Sequence, residues 1–511
     1  MSARGPRVAI VGAGVGGLSL AARLAHQGFE VDVFEKESGP GGRCNRLEVE
    51  GFHFDMGPTI LLMPEVVERT FTAVGKRMAD YLTLHRCDPN YRIHFRDGSD
   101  VTFTSELTQM GRELERIEPG SFPRYLRFLA QGQRQYQTSL KRFVGRNFDN
   151  LFQFITPANL RHIFAIKAHK RMYREVSRFF SDERLRAAMT FQTMYLGISP
   201  FESPAVYGLL PFSELGVGIW FPEGGLYALP LALERLGREL GVRFHYGAPV
   251  RRVTLDGARA TGVELESGGA FSADHVVCNA DLPYAYESLI DKEVTTLKRA
   301  EALKYTSSGY MLYLGLNRQV PELLHHNVFL GRDFRGSFDD LFKRFQVPAD
   351  PSFYINIPNR TDPRMSPSGK DAAYVLVPVP HQHAGLDWAE LGPRVRAQVF
   401  ARLEDEGIHG LEAAIEVERV FTPDDWQSRF NCMHGSAFGL SHHFFQIGPF
   451  RPQNQDARVR NLFFVGASTQ PGTGLPTVML SAELTCERML KQEALAPTRP
   501  QATVRAERVA A

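Results

Sequence analysis

The chain has almost no net charge: Lys+Arg 59 against Asp+Glu 57 leaves +2 over 511 residues, which supplies no field for general attraction to nucleic acid. Cysteine is scarce. Cys44, Cys87, Cys278, Cys432 and Cys486 are scattered, odd in number and form no C-x-x-C, so neither a disulfide framework nor a thiolate zinc site is indicated and a reducing compartment fits. No stretch of about 20 apolar residues runs without a charge, which argues against a membrane-spanning helix. No G-x-S-x-G, H-E-x-x-H or paired-carboxylate motif is found, so hydrolase chemistry has no evident carrier. His381-Gln382-His383 and His442-His443 lack carboxylate company, and no metal is expected. What remains is ordinary for a globular protein with a large core, at 43% hydrophobic and 23% charged residues. The length is three to four times the soft prior of ~150 residues per domain, which implies two or three cooperating parts.

Arg7 to Val11 reads as a short β-branched strand, followed by Gly12-Ala13-Gly14-Val15-Gly16-Gly17 and a helical segment from Leu18 to Gln27. This is G-x-G-x-x-G in its required setting of strand, tight turn and helix. Gly12 permits the turn, Gly14 lets backbone approach a pyrophosphate, and Gly17 allows the helix to pack closely on the strand. The helix N-terminus then faces the phosphates with unpaired N–H groups and its positive dipole end. A second strand, Glu30 to Phe34, delivers Glu35 about 20 residues past the glycines, where a carboxylate accepts both hydroxyls of an adenosine ribose. A dinucleotide site follows, with FAD and NAD both open at this step. Gly39-Pro40-Gly41-Gly42-Arg43 adds a second glycine turn and an arginine able to fork onto phosphate oxygens. Gly51-Phe52-His53-Phe54-Asp55-Met56-Gly57-Pro58 comes next.

With these residues the chain resembles the flavoprotein amine oxidase superfamily and, within it, the bacterial-type phytoene desaturases and their carotenoid-modifying relatives. In that superfamily the Gly-Gly-Arg segment lies along the FAD and F-D-x-G follows closely. The resemblance implies FAD as cofactor, with Gly12, Gly14, Gly16, Gly17, Glu35, Gly42, Arg43 and Gly57 at its site.

Near the other end, Phe450-Arg451-Pro452-Gln453-Asn454 leads through Asn461-Leu462-Phe463-Phe464-Val465-Gly466 to Ala467-Ser468-Thr469-Gln470-Pro471-Gly472-Thr473-Gly474-Leu475-Pro476 and a helix from about Val478 to Lys491. Physically this is a short buried strand, a glycine- and proline-rich loop, and a helix starting at the loop. It looks like the C-terminal signature of the carotenoid desaturases, and the resemblance implies that Gly466, Gly474, Leu475 and Pro476 lie along the flavin. Gln470 departs from the pattern, since the family usually has His before Pro-Gly. That substitution bears on the exact substrate and product more than on the flavin. Val217-Gly218-Ile219-Trp220-Phe221-Pro222-Glu223-Gly224-Gly225 resembles the family's W-F-P-x-G-G segment. Strands are expected at Val242–Tyr246, Pro249–Leu255, Ala260–Leu265 and His275–Val277, with turns at Asp256-Gly257 and Gly268-Gly269. In the superfamily the strand carrying Val250 offers backbone to the adenine.

Tyr91 to Phe103 reads as a hairpin, and Gly309–Asn317, Ser352–Ile357 and Ala372–Val379 read as strands of one substrate-binding sheet, with a helix near Leu391–Glu406. Between about Ser121 and Met189 the character changes. Phe143, Phe148, Leu151, Phe152, Phe154, Ile155, Leu160, Ile163, Phe164, Ile166, Met172, Tyr173, Phe179 and Phe180 interleave with Lys141, Arg142, Arg146, Arg161, Lys167, Lys170, Arg171 and Arg174, and Asp149 is the one acid from Lys141 to Arg174. Such amphipathic basic helices suit a membrane interface with anionic headgroups.

The expectation is therefore an α/β protein: a Rossmann-like FAD-binding domain in three pieces (1–70, 216–290, 441–492), a mixed-sheet substrate domain (71–120, 291–440) and a helical membrane-associating subdomain (121–215), with a disordered tail at 493–511. The resemblance implies a flavin-dependent carotenoid desaturase. Its partners would be a hydrophobic carotenoid and a membrane surface, with no nucleic acid, and it would be cytoplasmic and peripheral to the inner membrane. Alternatives are a C30 diapophytoene or hydroxycarotenoid desaturase, a terminal-methyl oxidase, a carotenoid cis-trans isomerase, or a non-catalytic lipid-binding relative. Electron acceptor, oxygen or quinone, and oligomeric state stay open. For the proton acceptor, Glu214, Glu223, Asp281 and Gln470 are only weak candidates.

Overall fold

The computed structural model describes residues 5–148, 150–290, 303–382 and 385–493. Asp149, His383 and the tail beyond Glu493 lie outside the described residues.

Short apolar runs with β-branched residues form a five-stranded sheet, parallel throughout. Arg7–Val11 is central, flanked by Glu30–Phe34 and His275–Cys278, with Arg243–His245 and Leu462–Phe464 at the edges. Because crossover connections cover both faces of such a sheet, its strands read as continuous hydrophobic runs rather than alternating ones. The helix Val15–His26 packs against the helices Ala228–Glu239 and Leu475–Glu493. Ligands of open parallel sheets bind beyond the carboxyl ends of the strands. Those ends deliver Gly12, Glu35, Asn279 and Val465-Gly466 to one edge.

A three-stranded antiparallel meander, Val250–Asp256, Arg259–Leu265 and Ala270–Ser272, lies beside that sheet. Asn461 ties the two together. Its Oδ1 accepts from Ala260 N at 2.8 Å, and its Nδ2 donates to Ala260 O at 2.7 Å and Asp274 O at 2.6 Å.

The largest sheet has seven strands in the order Ile415–Phe421, Ser308–Leu316, Asp371–Val379, Phe353–Asn356, His326–Phe329, Tyr91–His94 and Asp100–Phe103. It is antiparallel except where His326–Phe329 runs parallel to Tyr91–His94. Along Ser308–Leu316 the side chains alternate between two burials. Leu312, Leu314 and Leu316 pack with Val395, Val399 and Leu403 of the helix Trp388–Asp405, whereas Met311 and Tyr313 pack with Phe52 and Phe54. The second face meets the dinucleotide-type part: Tyr313 donates its hydroxyl hydrogen to Met56 O at 2.7 Å and Tyr374 to Gly57 O at 2.9 Å.

Several elements differ from the sequence-based expectation. The first helix begins at Val15 rather than Leu18, with Leu18 N donating to Gly14 O at 2.9 Å, so the glycines themselves form its first turn. The last helix begins at Leu475 rather than Val478, since Val478 N donates to Gly474 O at 2.9 Å and Pro476 sits in the first turn, where no N–H is needed. His326–Phe329 and Ile415–Phe421 were not anticipated as strands. In the helical stretch, Met172, Val176 and Phe180 belong to the main core, and the exposed large apolar side chains fall at Leu126 and in the part around Leu151–Phe164.

Removing the Asn461 clamp leaves a buried N–H and two carbonyls unpaired. Asn461→Ala is expected to lower the unfolding free energy by about 2 kcal/mol, read as a shifted urea midpoint with an unchanged slope.

Candidate active site

One cavity of about 720 Å³ runs from the carboxyl edge of the parallel sheet to the apolar side of the large sheet. At its nucleotide end it is lined by Gly12, Gly14, Gly16, Glu35, Gly42, Arg43, Gly57 and Val250. Gly12 turns the chain at φ +99°. Asn279, at the end of the neighbouring strand, lies under this turn, its Nδ2 3.4 Å from Gly12 O. A Cβ on Gly14 or Gly16 would come within 2.7 Å of the Asn279 amide, and one on Gly17 within 2.3 Å of Gly12 O. Gly17 does not line the cavity; it serves the close packing of helix on strand. Asn279 was missed as a site residue, because an asparagine after a strand carries no motif of its own.

Glu35 is buried, accepting from Ala13 N at 2.7 Å and Glu37 N at 3.0 Å. Burial pushes its carboxyl up, against the lowering effect of those two N–H groups. The next motif is bound to a distant one. Asp55 of F-D-x-G accepts from Leu226 N at 2.9 Å and Tyr227 N at 3.1 Å, just past Gly224-Gly225. Its carboxyl is pushed up to about 7 by burial.

The far end of the chain closes the site through Arg451. This fully buried guanidinium donates from Nε to Thr469 O at 2.9 Å, from Nη1 to Gln446 O at 3.2 Å and Ser441 O at 3.4 Å, and from Nη2 to Leu440 O at 3.2 Å and to Ala467 O. Asn454 donates to Gln470 O at 3.0 Å, Ser481 Oγ at 3.0 Å and Phe464 O at 3.3 Å. The arginine and asparagine of F-R-P-x-N thus hold the backbone of the loop that carries Gly466, Gly474, Leu475 and Pro476, all of which line the cavity. His442 belongs to the same scaffold. Its Nε2 accepts from Thr473 N at 3.1 Å, and burial holds the ring well below the usual histidine range, so it is a neutral acceptor.

The four weak proton-acceptor candidates separate. Asp281 lines the cavity but its carboxylate accepts from Ser468 Oγ and from Met433 N at 3.2 Å. Gln470 also lines it, donating to Gly448 O at 2.9 Å. Glu223 is outside the lining and half exposed, ion-paired with Arg364 at 2.8 Å. Glu214 is fully buried behind the wall, where its Oε2 accepts from Tyr91 OH at 3.1 Å and Gln192 Nε2 at 3.2 Å.

Among the described residues Cys87, His325 and His326 could offer ligand atoms within 4.8 Å of one another. One nitrogen of each imidazole meets a hydroxyl, His325 Nδ1 2.5 Å from Thr361 Oγ1 and His326 Nδ1 2.6 Å from Tyr354 OH, while Nε2 of both rings is buried without a hydrogen-bond partner among the described residues. Burial pushes the Cys87 thiol up to about 12.

Beyond the flavin-type end the lining turns apolar, with Phe143, Phe148, Phe154, Ile163, Leu330 and Phe353 among its residues. Phe444 and Phe450 line the cavity and are also exposed, so they form a rim. Phe445, 72% exposed, packs against both, and in the helical stretch that contributes Phe154 and Ile163 to the lining Phe152 is 86% exposed, with Ile155 and Phe164 also outward.

The geometry fits FAD. A side-chain-free turn and a helix N-terminus can take a pyrophosphate, Glu35 can take a ribose, and the loop held by Arg451 can take the ring system. Gly17→Ala is expected to displace the first helix and abolish FAD retention, read as the flavin-to-protein absorbance ratio of the purified variant. Full retention would contradict this reading of the loop.

The family described as Flavin containing amine oxidoreductase matches residues 15–490. A zeta-carotene-forming phytoene desaturase from Myxococcus xanthus is 69% identical over 490 residues, covering 96% of this chain and 95% of that protein. An all-trans-zeta-carotene desaturase from the same organism is 37% identical over 499 residues, covering 96% and 94%. Among solved structures, a cofactor-binding redesign of putrescine oxidase superposes with TM-score 0.64 at 13% identity, covering 95% of this chain and 99% of that one, a likeness of fold. The chain belongs to the carotenoid desaturases of the flavin-containing amine oxidoreductase family, and its cofactor is FAD.

Proposed function

We propose that this chain desaturates phytoene to zeta-carotene, taking the hydrocarbon from a membrane surface into the cavity that also holds FAD. The observation that carries the reading is the continuity of that cavity, polar and glycine-lined at one end and walled by aromatic and aliphatic side chains at the other. The 69% identity to a zeta-carotene-forming enzyme, against 37% to one that acts on zeta-carotene, supports the choice of product.

Gly12, Gly14 and Gly16 would receive the pyrophosphate, Glu35 the ribose, Val250 the adenine side, and Arg43, Gly57, Gly466, Gly474, Leu475 and Pro476 the flavin side. Bound FAD supplies a two-electron acceptor for a hydride from an allylic carbon. The protein's own part is to orient the chain and to keep water out. The apolar lining strengthens every electrostatic interaction in the site and blocks side reactions. A polyene has no polar handle, so its register is set by shape.

The rim supports the membrane reading. Phe444 and Phe450 are exposed at the cavity lining and Phe445 packs edge-on to them, while Phe152, Ile155 and Phe164 are exposed in the helical stretch whose Phe154 and Ile163 line the cavity, and Lys141, Arg142, Arg146 and Arg161 are exposed in the same stretch. No helix of the described residues is long and apolar enough to cross a membrane. A peripheral site on the cytoplasmic face of the inner membrane fits these features.

Two experiments test the proposal. In a bacterium that makes phytoene, co-expression is expected to accumulate zeta-carotene, with mass falling by two hydrogens per new double bond. An unchanged mass with altered isomer geometry would replace desaturation by isomerisation. With vesicles containing anionic lipid, Phe152→Ser with Phe445→Ser is expected to weaken co-sedimentation by about tenfold or more, since burying one such side chain contributes roughly 1.5–3 kcal/mol. Unchanged co-sedimentation would remove the rim from the account.

A further inference from the structure

Desaturation takes a hydride and a proton from adjacent carbons, and the proton needs an acceptor beside an apolar wall. Asp281 is held by Ser468 Oγ and Met433 N. His326 is engaged with Tyr354, and burial holds it well below the usual histidine range, which makes it a poor acceptor. Tyr136 lines the cavity, but the carboxylate it bonds, Glu65, is exposed to solvent. Glu214 differs from all of these. It is fully buried, yet one side chain away from the cavity, because Tyr195 lines the cavity and its phenol faces the Glu214 carboxyl. Oε2 of Glu214 is taken by Tyr91 and Gln192, while Oε1 has no full hydrogen bond among the described residues.

Both residues sit in short helical turns. Tyr195 sits in the 3₁₀ turn Phe191–Leu196, and Glu214 in the π-helical turn Ser213–Val217 that leads into the strand Ile219–Pro222. Asn90 Nδ2 fixes the backbone of Glu214 by donating to its carbonyl at 2.7 Å. Tyr195 also lies beside Tyr354, whose hydroxyl is 2.9 Å from Thr59 Oγ1, two residues past Gly57. The polar patch therefore reaches the F-D-x-G end of the cavity, where the flavin-binding and apolar linings meet.

We propose that Tyr195 takes the proton lost by the substrate and passes its own phenolic proton to Glu214. This rests on the desaturase reading above. The hydride leaves one carbon with two electrons, for which bound FAD would be the acceptor. On the neighbouring carbon the C–H bond breaks, its electron pair becomes the new π bond, and its proton bonds to the Tyr195 oxygen as the Tyr195 O–H proton moves to a Glu214 oxygen. Atoms and electrons balance with no further reactant. Tyr195 is thus the catalytic residue and Glu214 acts through it.

The electrostatics suit the pair. Burial pushes the Tyr195 phenol well above its ordinary range, so it does not stand ready as a phenolate. Burial also pushes the Glu214 carboxyl up to about 8, against the lowering effects of Gln192, Tyr91 and Tyr195, the groups that face it. A carboxylate of that basicity is a better proton acceptor near neutral pH than an ordinary one. Its base form grows as pH rises through about 8.

The test uses the FAD-loaded full chain with phytoene in vesicles, mixed without oxygen, and follows the rate of flavin reduction. Tyr195→Phe and Glu214→Gln are each expected to lower that rate by about 10²-fold or more while the flavin-to-protein ratio stays at the wild-type value. The wild-type rate is expected to rise with pH through about 8, and the Glu214→Gln rate to be flat there. A second readout needs no turnover. Infrared titration of the cofactor-free protein is expected to show a buried carboxylic C=O band that disappears as pH rises through about 8, that is absent in Glu214→Gln, and whose midpoint moves in Tyr195→Phe. If Glu214→Gln does not fold, Tyr195→Phe, which removes one hydroxyl, decides the matter. Wild-type rates and pH profile in the folded variants would overturn the relay. No flavin reduction in the wild type with phytoene would instead overturn the desaturase reading.

Discussion

The site depends on one buried cation. Burying a guanidinium costs several kcal/mol unless its donors are satisfied, and Arg451 meets that demand with backbone carbonyls from both sides of the loop, at residues 440, 441, 446, 467 and 469. Burial lowers its pKa to about 10, which leaves it charged at neutral pH. A charge satisfied by carbonyls of five residues fixes the path of each. The loop after Phe464 is therefore held at Ala467 and Thr469, and Asn454 ties it again at Phe464 and Gln470. The helix Leu475–Glu493 starts where that loop ends and packs on the first helix, bringing Val478 against Gly16. Two ends of the chain more than 400 residues apart thus make one binding edge.

The rest of the cavity follows from the chemistry of a hydrocarbon. Nothing on a polyene can be held by a salt bridge or a hydrogen bond, so polar side chains facing it would be desolvated without return. Phe, Ile and Leu side chains occupy that part of the lining, and the carboxyl of Glu214 is withdrawn behind Tyr195. The same requirement explains why the chain carries no hydrolytic motif: with a cofactor that accepts electrons, the protein needs only to place the carbon chain and provide for a proton.

Much of this was legible in the sequence where the physics is local. The glycine turn and Glu35 are short-range patterns whose spacing reflects strand and turn geometry, whereas the C-terminal Phe-Arg-Pro-Gln-Asn segment was legible through family resemblance alone, since nothing local announces the buried contacts of Arg451 and Asn454. The starts of the two phosphate-side helices were read three residues late, because Gly16-Gly17 and Pro476 look like breakers until the first-turn hydrogen bonds are seen. His326–Phe329 is too short and too polar to stand out as a strand, and its partner Tyr91–His94 is more than 200 residues away. Asn279 and Tyr195 carry no motif; each matters through a neighbour brought close by the fold. The aromatic run of the helical region mixed two populations, and only tertiary packing separates Met172 and Phe180 in the core from Phe152 and Phe164 at the surface.

The central claim is that flavin and hydrocarbon share one cavity and exchange two electrons there. The most direct measurement is a stoichiometric one: titrate the FAD-loaded protein with phytoene in vesicles under argon, and quantify both the oxidised flavin remaining and the carotenoids extracted. The account expects one flavin reduced for each carbon–carbon double bond formed. Flavin that stays oxidised while the carotenoid changes, or carotenoid that stays unchanged while bound, would contradict it.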